Sequence, residues 1–225
     1  MTIDVAALSE ALSGHGLQLR GGLTFSAVED APLLSSGAPA VGLVLVGPAG
    51  GSLWPAFSAW HADHPLLDHP LDSWSKAVVG PIAAQFSATA WYPSDPPYQP
   101  FQRWARAAEG LEASPLGILA HPTFGLWHSY RAALGFSTPW PEPAPPPPPH
   151  PCSTCADKPC LTQCPAHAVA LGHFDVPRCR THLASPQGRT GCQSHGCHAR
   201  NACPTGRNHR YPLEQLRFHM AAMSA

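Results

Sequence analysis

The chain has 225 residues, 44% of them apolar and 12% charged, with a formal net charge of −1. That is enough apolar material for a core and too little charge for a solvated, disordered chain, and the bulk charge points to neither nucleic acid nor anionic lipid. The charge is unevenly placed: residues 1–138 hold five Lys/Arg against ten Asp/Glu, and residues 139–225 hold eight against four.

The opening stretch MTIDVAALSEALSG has no basic region followed by a long apolar one, so no secretory leader is expected and the predicted location is cytoplasmic. Residues 3–13 read as a helix, with Val5, Leu8 and Leu12 on one face and Gly14 as its stop. Leu17–Val28 and Ala40–Val46 read as strands, the second a buried apolar run closed by glycines. Its apolar core, Val41–Val46, is too short to span a bilayer, and no membrane partner is expected. Leu53–His64 reads as a helix, and His64–Asp72 (HPLLDHPLD) is a local echo. A helix capped by Ser73 should follow, kinked or split at Gly80–Pro81. Further on come a helix over Phe101–Leu111, a strand over Gly117–His121 and a helix over Trp127–Leu134.

Five consecutive prolines, Pro145–Pro149, favour a stiff polyproline II spacer and mark a boundary. The expected organisation is an α+β domain over residues 1–136, a proline-rich linker over 137–151, a small loop-rich module over 152–210 and a C-terminal helix over 211–225. In that helix Leu213, Leu216, Met220 and Met223 share a face.

All eight cysteines lie in the C-terminal part. They form two groups: Cys152-x2-Cys155-x4-Cys160-x3-Cys164-Pro165, and Cys179-x12-Cys192-x4-Cys197-x5-Cys203-Pro204. Clustered cysteines in a chain without a leader point to metal rather than to disulfides. A cubane needs four thiolates, and closely spaced cysteines on one loop reach three adjacent corners. In two-cluster ferredoxins the cysteine before proline crosses to the other cluster. On that scheme Cys152, Cys155, Cys160 and Cys203 hold one [4Fe–4S] cluster, and Cys164, Cys179, Cys192 and Cys197 hold the other. The first loop is two residues longer than the common spacing, around Asp157 and Lys158. Two structural zinc sites and a disulfide framework remain as alternatives. His195 and His198, beside Cys197, are alternative ligands or hydrogen-bonding neighbours.

With these cysteines in view, residues 152–210 resemble the dicluster domain of epoxyqueuosine reductase, through CPAHAV, FDVPRCRTHL and the closing Cys-Pro. Upstream, ILAHPTFGLWHSYRAAL (Ile118–Leu134) is similar to the cobalamin-processing, cblC-type family, whose motif reads His-Pro-x-Phe-Gly-Gly-Trp. His121, Pro122, Phe124, Gly125 and Trp127 match it, and Leu126 stands where that family has its second glycine. The resemblance implies a nitroreductase-like N-terminal domain with His121, Pro122, Phe124 and Gly125 on the corrinoid side. A flavin is compatible with that fold.

Three readings follow. The first is an iron–sulfur redox protein, a reductase or its accessory, that passes electrons to a cobalamin held by the N-terminal domain. The second is a ferredoxin-type carrier that docks on a separate redox enzyme. The third is a zinc-stabilised interaction protein. Tyr92, Tyr98 and His128 are available as proton donors, and nothing selects among them. No phosphate-binding glycine loop, dinucleotide fingerprint or serine nucleophile elbow is present in the sequence.

Overall fold

The computed structural model describes residues 2–26 and 31–224. The far end of the strand expected over Leu17–Val28 therefore lies outside the described residues. The chain divides into two compact units, Met1–Gly110 with Ser129–Pro147, and Leu111–His128 with Pro148–Ala225. The segment Leu111–His128, expected within an uninterrupted domain over 1–136, clusters with the cysteine-bearing part.

In chain order the first elements are α1 (Val5–Ser13), β1 (Gln18–Thr24), β2 (Gly42–Gly47), α2 (Trp54–Ala62), α3 (Pro70–Gln85), β3 (Thr89–Trp91) and α4 (Phe101–Glu109). Then come the short strands β4 (Glu112–Ala113) and β5 (Leu119–Ala120), followed by β6 (Ala132–Phe136). The first unit is built on an antiparallel sheet in the order β1-β2-β6-β3. Every residue of β2 and β6 is buried, as an inner pair covered on both faces requires.

α1 begins where the Asp4 carboxylate accepts from the Ala7 amide at 3.0 Å, and it buries Leu8 and Leu12. Gly14 is still right-handed at φ −59, and the left-handed turn falls at Gly16, two residues beyond the expected stop. α3 continues through Pro81 as one helix, so the chain is not split there. Pro81 forfeits the bond its amide would give Ala77 and crowds that carbonyl. Val79, Ile82 and Ala83, buried on either side, hold the helix in place.

The helix expected over Trp127–Leu134 does not form, and Ala132–Phe136 is a strand instead. The apolar spacing of that segment fits a helix, but AALGF supplies small residues where two neighbouring strands close in. A Cβ on Gly135 would lie 2.2 Å from the Trp91 ring, so the inner strand must be thin there. The strand expected over Gly117–His121 shrinks to Leu119–Ala120.

A β-bulge lies between Leu19 and Gly22. It turns Arg20 inward, where its guanidinium meets Glu109 at 2.9 and 3.3 Å and the Pro48 carbonyl at 3.3 Å. The Tyr130 hydroxyl also donates to Glu109.

The second unit continues with α5 (Pro151–Thr154), α6 (Pro159–Thr162), the hairpin β7 (Val169–Ala170) and β8 (His173–Phe174), α7 (Val176–Ala184) and α8 (Pro186–Gly188). A π-helical turn (Arg189–Gln193), α9 (His198–Asn201) and α10 (Leu213–Ser224) complete it. Its main core is small: Leu116, Ala120, Leu126, Cys164, Ala168, Val169 and Ala199. Leu216 and Met220 of α10 are buried, as the periodicity of that helix predicts, whereas Leu213 is exposed. Among the described residues, no helix is long and apolar enough to cross a membrane.

Candidate metal centre

Short helical turns carry the first cysteines. α5 presents Cys152 and α6 presents Cys160, and each opens on a proline, whose missing amide costs nothing in a first turn. Between them Lys158 sits at φ 37, a left-handed backbone rare for a side-chain-bearing residue. Its ammonium turns back to donate to the carbonyls of Cys152 at 3.1 Å and Cys155 at 2.8 Å. This bond closes the lengthened loop.

Cys164 follows α6, and its sulfur accepts from the Ala168 amide at 3.3 Å. α7 carries Cys179 and begins with the Asp175 carboxylate accepting from the Arg178 amide at 2.9 Å. The π-helical turn carries Cys192, Cys197 is the N-cap of α9, and Cys203 follows that helix.

The eight thiols sort into two neighbourhoods. Cys152, Cys155, Cys160 and Cys203 line one apolar cavity, together with Leu116, Ala120, Gly125, Leu126 and Lys158. Burial pushes the Cys152 thiol up, and the neighbouring thiolates of Cys203, Cys160 and Cys155 push it further, against the pull of Lys158. Cys160 is raised by burial, then by Cys203 and Cys155. Cys203 is raised by burial and by Cys155, while the Thr205 amide and Arg207 oppose the rise.

The other four act on one another in the same way. Burial raises Cys179, and so do Cys164 and Cys192. Cys192 is raised by burial and by Cys164, opposed by the His198 amide. Cys197 is pushed up to about 11 by burial, opposed by the Arg200 amide and helped by Cys192, Cys179 and Cys164. Cys179, Cys192 and Cys197 pack among Leu183, Met220 and Met223, and Cys164 packs among Ala168, Val169 and Ala199. Among the described residues, no three His, Cys, Asp or Glu side chains are grouped to hold a metal ion. All eight cysteines are free thiols.

His198 thus meets the second set through its backbone amide. The Nδ1 of His195 donates toward the carbonyls of Thr190 at 3.1 Å and Gly191 at 3.3 Å.

The HPTFG segment is a closed turn in this unit. The Nδ1 of His121 accepts from the amides of Thr123 at 3.0 Å and Phe124 at 3.1 Å. His121 pairs with Gly125 across the turn and stacks on Phe124 at 4.2 Å. Pro122 is exposed at its tip. Gly125 has φ +56, and a Cβ there would lie 2.1 Å from the Thr205 carbonyl oxygen. The close approach at this glycine is therefore made by the chain's own Cys203–Gly206 loop.

Leu126, where the second glycine of the motif would stand, is buried. Its carbonyl accepts from Arg200 at 2.5 and 3.2 Å. That guanidinium lies 4.5 Å from the Trp127 ring centre and 4.7 Å from that of Tyr211. The partners contributed by Arg200, Thr205 and Tyr211 carried no signal in the sequence, because the contacts are distant along the chain. Of the candidate proton donors, His128 is buried with its Nε2 committed to the Leu119 carbonyl at 2.8 Å. Tyr92 is pushed up to about 12 by burial and by Asp95, and Tyr98 is largely exposed.

No protein-family model matches the chain, nor does any curated protein. Two solved structures are similar. One is the C. elegans B12-trafficking protein CblC, a homologue of human MMACHC, at 12% identity and a TM-score of 0.52, over 95% of this chain and 90% of that one. The other is an epoxyqueuosine reductase in complex with an epoxyqueuosine-modified tRNA-Tyr stem loop, at 15% identity and a TM-score of 0.46, over 92% of this chain and 58% of that one. The likeness to the CblC structure is one of fold, and it assigns the chain a mixed α and β architecture of that type.

Proposed function

We propose that the chain is an iron–sulfur redox protein with two [4Fe–4S] clusters, and that it delivers electrons to a corrinoid. The observation that carries this reading is the sorting of eight thiols into two sets of four. Cys152, Cys155, Cys160 and Cys203 share one cavity, and Cys164, Cys179, Cys192 and Cys197 interact with one another. The crossing of Cys203 to the first group is what a two-cluster ferredoxin does. A cubane presents its irons at separate corners, so its thiolates stand further apart than those round one ion. When bound, such clusters supply one-electron transfer.

The residues' own part is to exclude water and direct hydrogen bonds at sulfur. The amides of Ala168, His198, Arg200 and Thr205 serve this purpose. The corrinoid part of the reading rests on the HPTFG segment and the CblC-type fold. Gly125 and Leu126 line the first cavity, so that segment adjoins the first set of thiols. Where a corrinoid binds, His121, Pro122 and Phe124 are the residues offered to it.

The closed turn favours a second reading. Thr205 fills the space at Gly125, and Leu126 occupies the other glycine position of the motif. A ferredoxin-type carrier needs no opening there.

Iron, acid-labile sulfide and zinc in anaerobically purified protein test the cluster reading. About eight iron and eight sulfide per chain are expected. About two zinc without sulfide would replace clusters by structural zinc. A change in the cob(II)alamin spectrum on mixing separates corrinoid delivery from the carrier reading.

A further inference from the structure

The two sets of thiols differ in the charge placed beside them. Lys158 lines the same cavity as Cys152, Cys155, Cys160 and Cys203. Its ammonium is pinned by two carbonyls, 3.1 Å from that of Cys152 and 2.8 Å from that of Cys155. The pinning occurs at a left-handed backbone, φ 37, which is strained in a residue other than glycine. A solvated lysine on a loop needs no such conformation. The backbone strain is consistent with a charge held in place. Arg207 adds a second cation near Cys203.

Around the second set the surroundings are different. Among the described residues, what acts on Cys179, Cys192 and Cys197 is burial, backbone amides and neighbouring thiols. Apolar neighbours there include Leu183 and Met220 around Cys179, Cys192 and Cys197, and Ala168, Val169 and Ala199 in the cluster that holds Cys164.

Resting on the cluster reading above, we propose that Lys158 is a positioning residue that raises the reduction potential at Cys152, Cys155, Cys160 and Cys203 above that at the other four cysteines. Adding one electron makes a thiolate-held cluster more negative. A cation fixed beside it stabilises that added charge, and an apolar shell does not. An electron given to the protein then resides at the first set, next to the HPTFG turn. No proton need move, because the compensating charge is permanent.

Redox titration of the iron-loaded protein, followed by electron paramagnetic resonance, tests this. The wild-type protein should show two separated one-electron midpoints. Lys158→Gln keeps an amide donor for the two carbonyls and removes the charge. It should lower the upper midpoint by about 59 mV, a tenfold change in the one-electron equilibrium, and leave the lower one in place. Lys158→Arg should hold the upper midpoint. If Lys158→Gln loses iron, Lys158→Met carries the same comparison. A single unresolved midpoint in the wild type, or full iron content with an unmoved upper midpoint in the charge-removing variants Lys158→Gln and Lys158→Met, would overturn the role of Lys158. Wild-type protein without iron and sulfide would overturn the cluster reading itself.

Discussion

Two glycines show how a family-like motif can be legible while its use is not. The resemblance puts Gly125 on the corrinoid side of the motif. What comes close is Thr205, and the relation is mutual: a Cβ on Gly206 would lie 2.3 Å from Phe124 backbone atoms. Both residues have positive φ, +56 and +71. Two turns therefore cross with their backbones in contact, one bearing HPTFG and the other following Cys203. Gly125→Ala should destabilise the cysteine-bearing unit by about 2 kcal/mol or more, from left-handed strain together with the clash. Urea unfolding of the iron-loaded protein measures this, and unchanged stability would mean that the crossing is loose. Arg200 makes the companion case. It binds the Leu126 carbonyl and stands against two aromatic rings. Arg200→Leu should cost about 2–3 kcal/mol, and Arg200→Lys should recover only part of it, since a lysine lacks the planar fork.

Among the elements, those with a strong local signal were readable. The β2 run and the helices α1, α2, α4 and α10 follow from periodicity and stop residues close to their observed bounds. One departure, β6, has a helix-compatible pattern and becomes a strand through long-range pairing with β2 and β3, which no short window contains. The part-buried triad of Arg20, Glu109 and Tyr130 was illegible for a similar reason. It joins the bulge of β1, the end of α4 and the chain leading into β6. Burial raises the Glu109 pKa, but Arg20, Tyr130 and the Gly21 amide outweigh it, so the carboxyl lies below its ordinary 4.5. A depressed carboxylate contributes stability that is complete above the ordinary value and is lost as pH falls through the lower, folded-state value. Thermal melts of the wild type should thus fall off steeply below about pH 4.5. Glu109→Gln should lower stability by about 3 kcal/mol at neutral pH and flatten that acid limb. An acid limb identical in the two proteins would assign the loss to other carboxylates.

On the scale of the whole molecule, the two units are stabilised by different materials. The first has a four-stranded sheet with two wholly buried strands and large aromatic side chains, Trp74 and Phe57 among them. The second has two-residue strands and, beside α7 and α10, helices of only three or four residues, and its apolar clusters include the cysteines themselves. Small loop-rich units of this kind depend on what they bind, because their side chains alone bury too little surface. In such systems the free energy of binding a metal is folding free energy. Removing iron with a chelator and an oxidant should therefore abolish the cooperative unfolding of residues 111–128 and 148–225. The transition of the sheet-bearing unit should persist at nearly its original temperature. Calorimetry of loaded and stripped protein, with hydrogen exchange to assign each transition, distinguishes the outcomes. If both transitions survive stripping, the cysteine-bearing unit folds on its side chains alone, and its thiols are passengers on a self-sufficient core. If only the first survives, the eight thiols of the proposed clusters also hold residues 111–128 and 148–225 together.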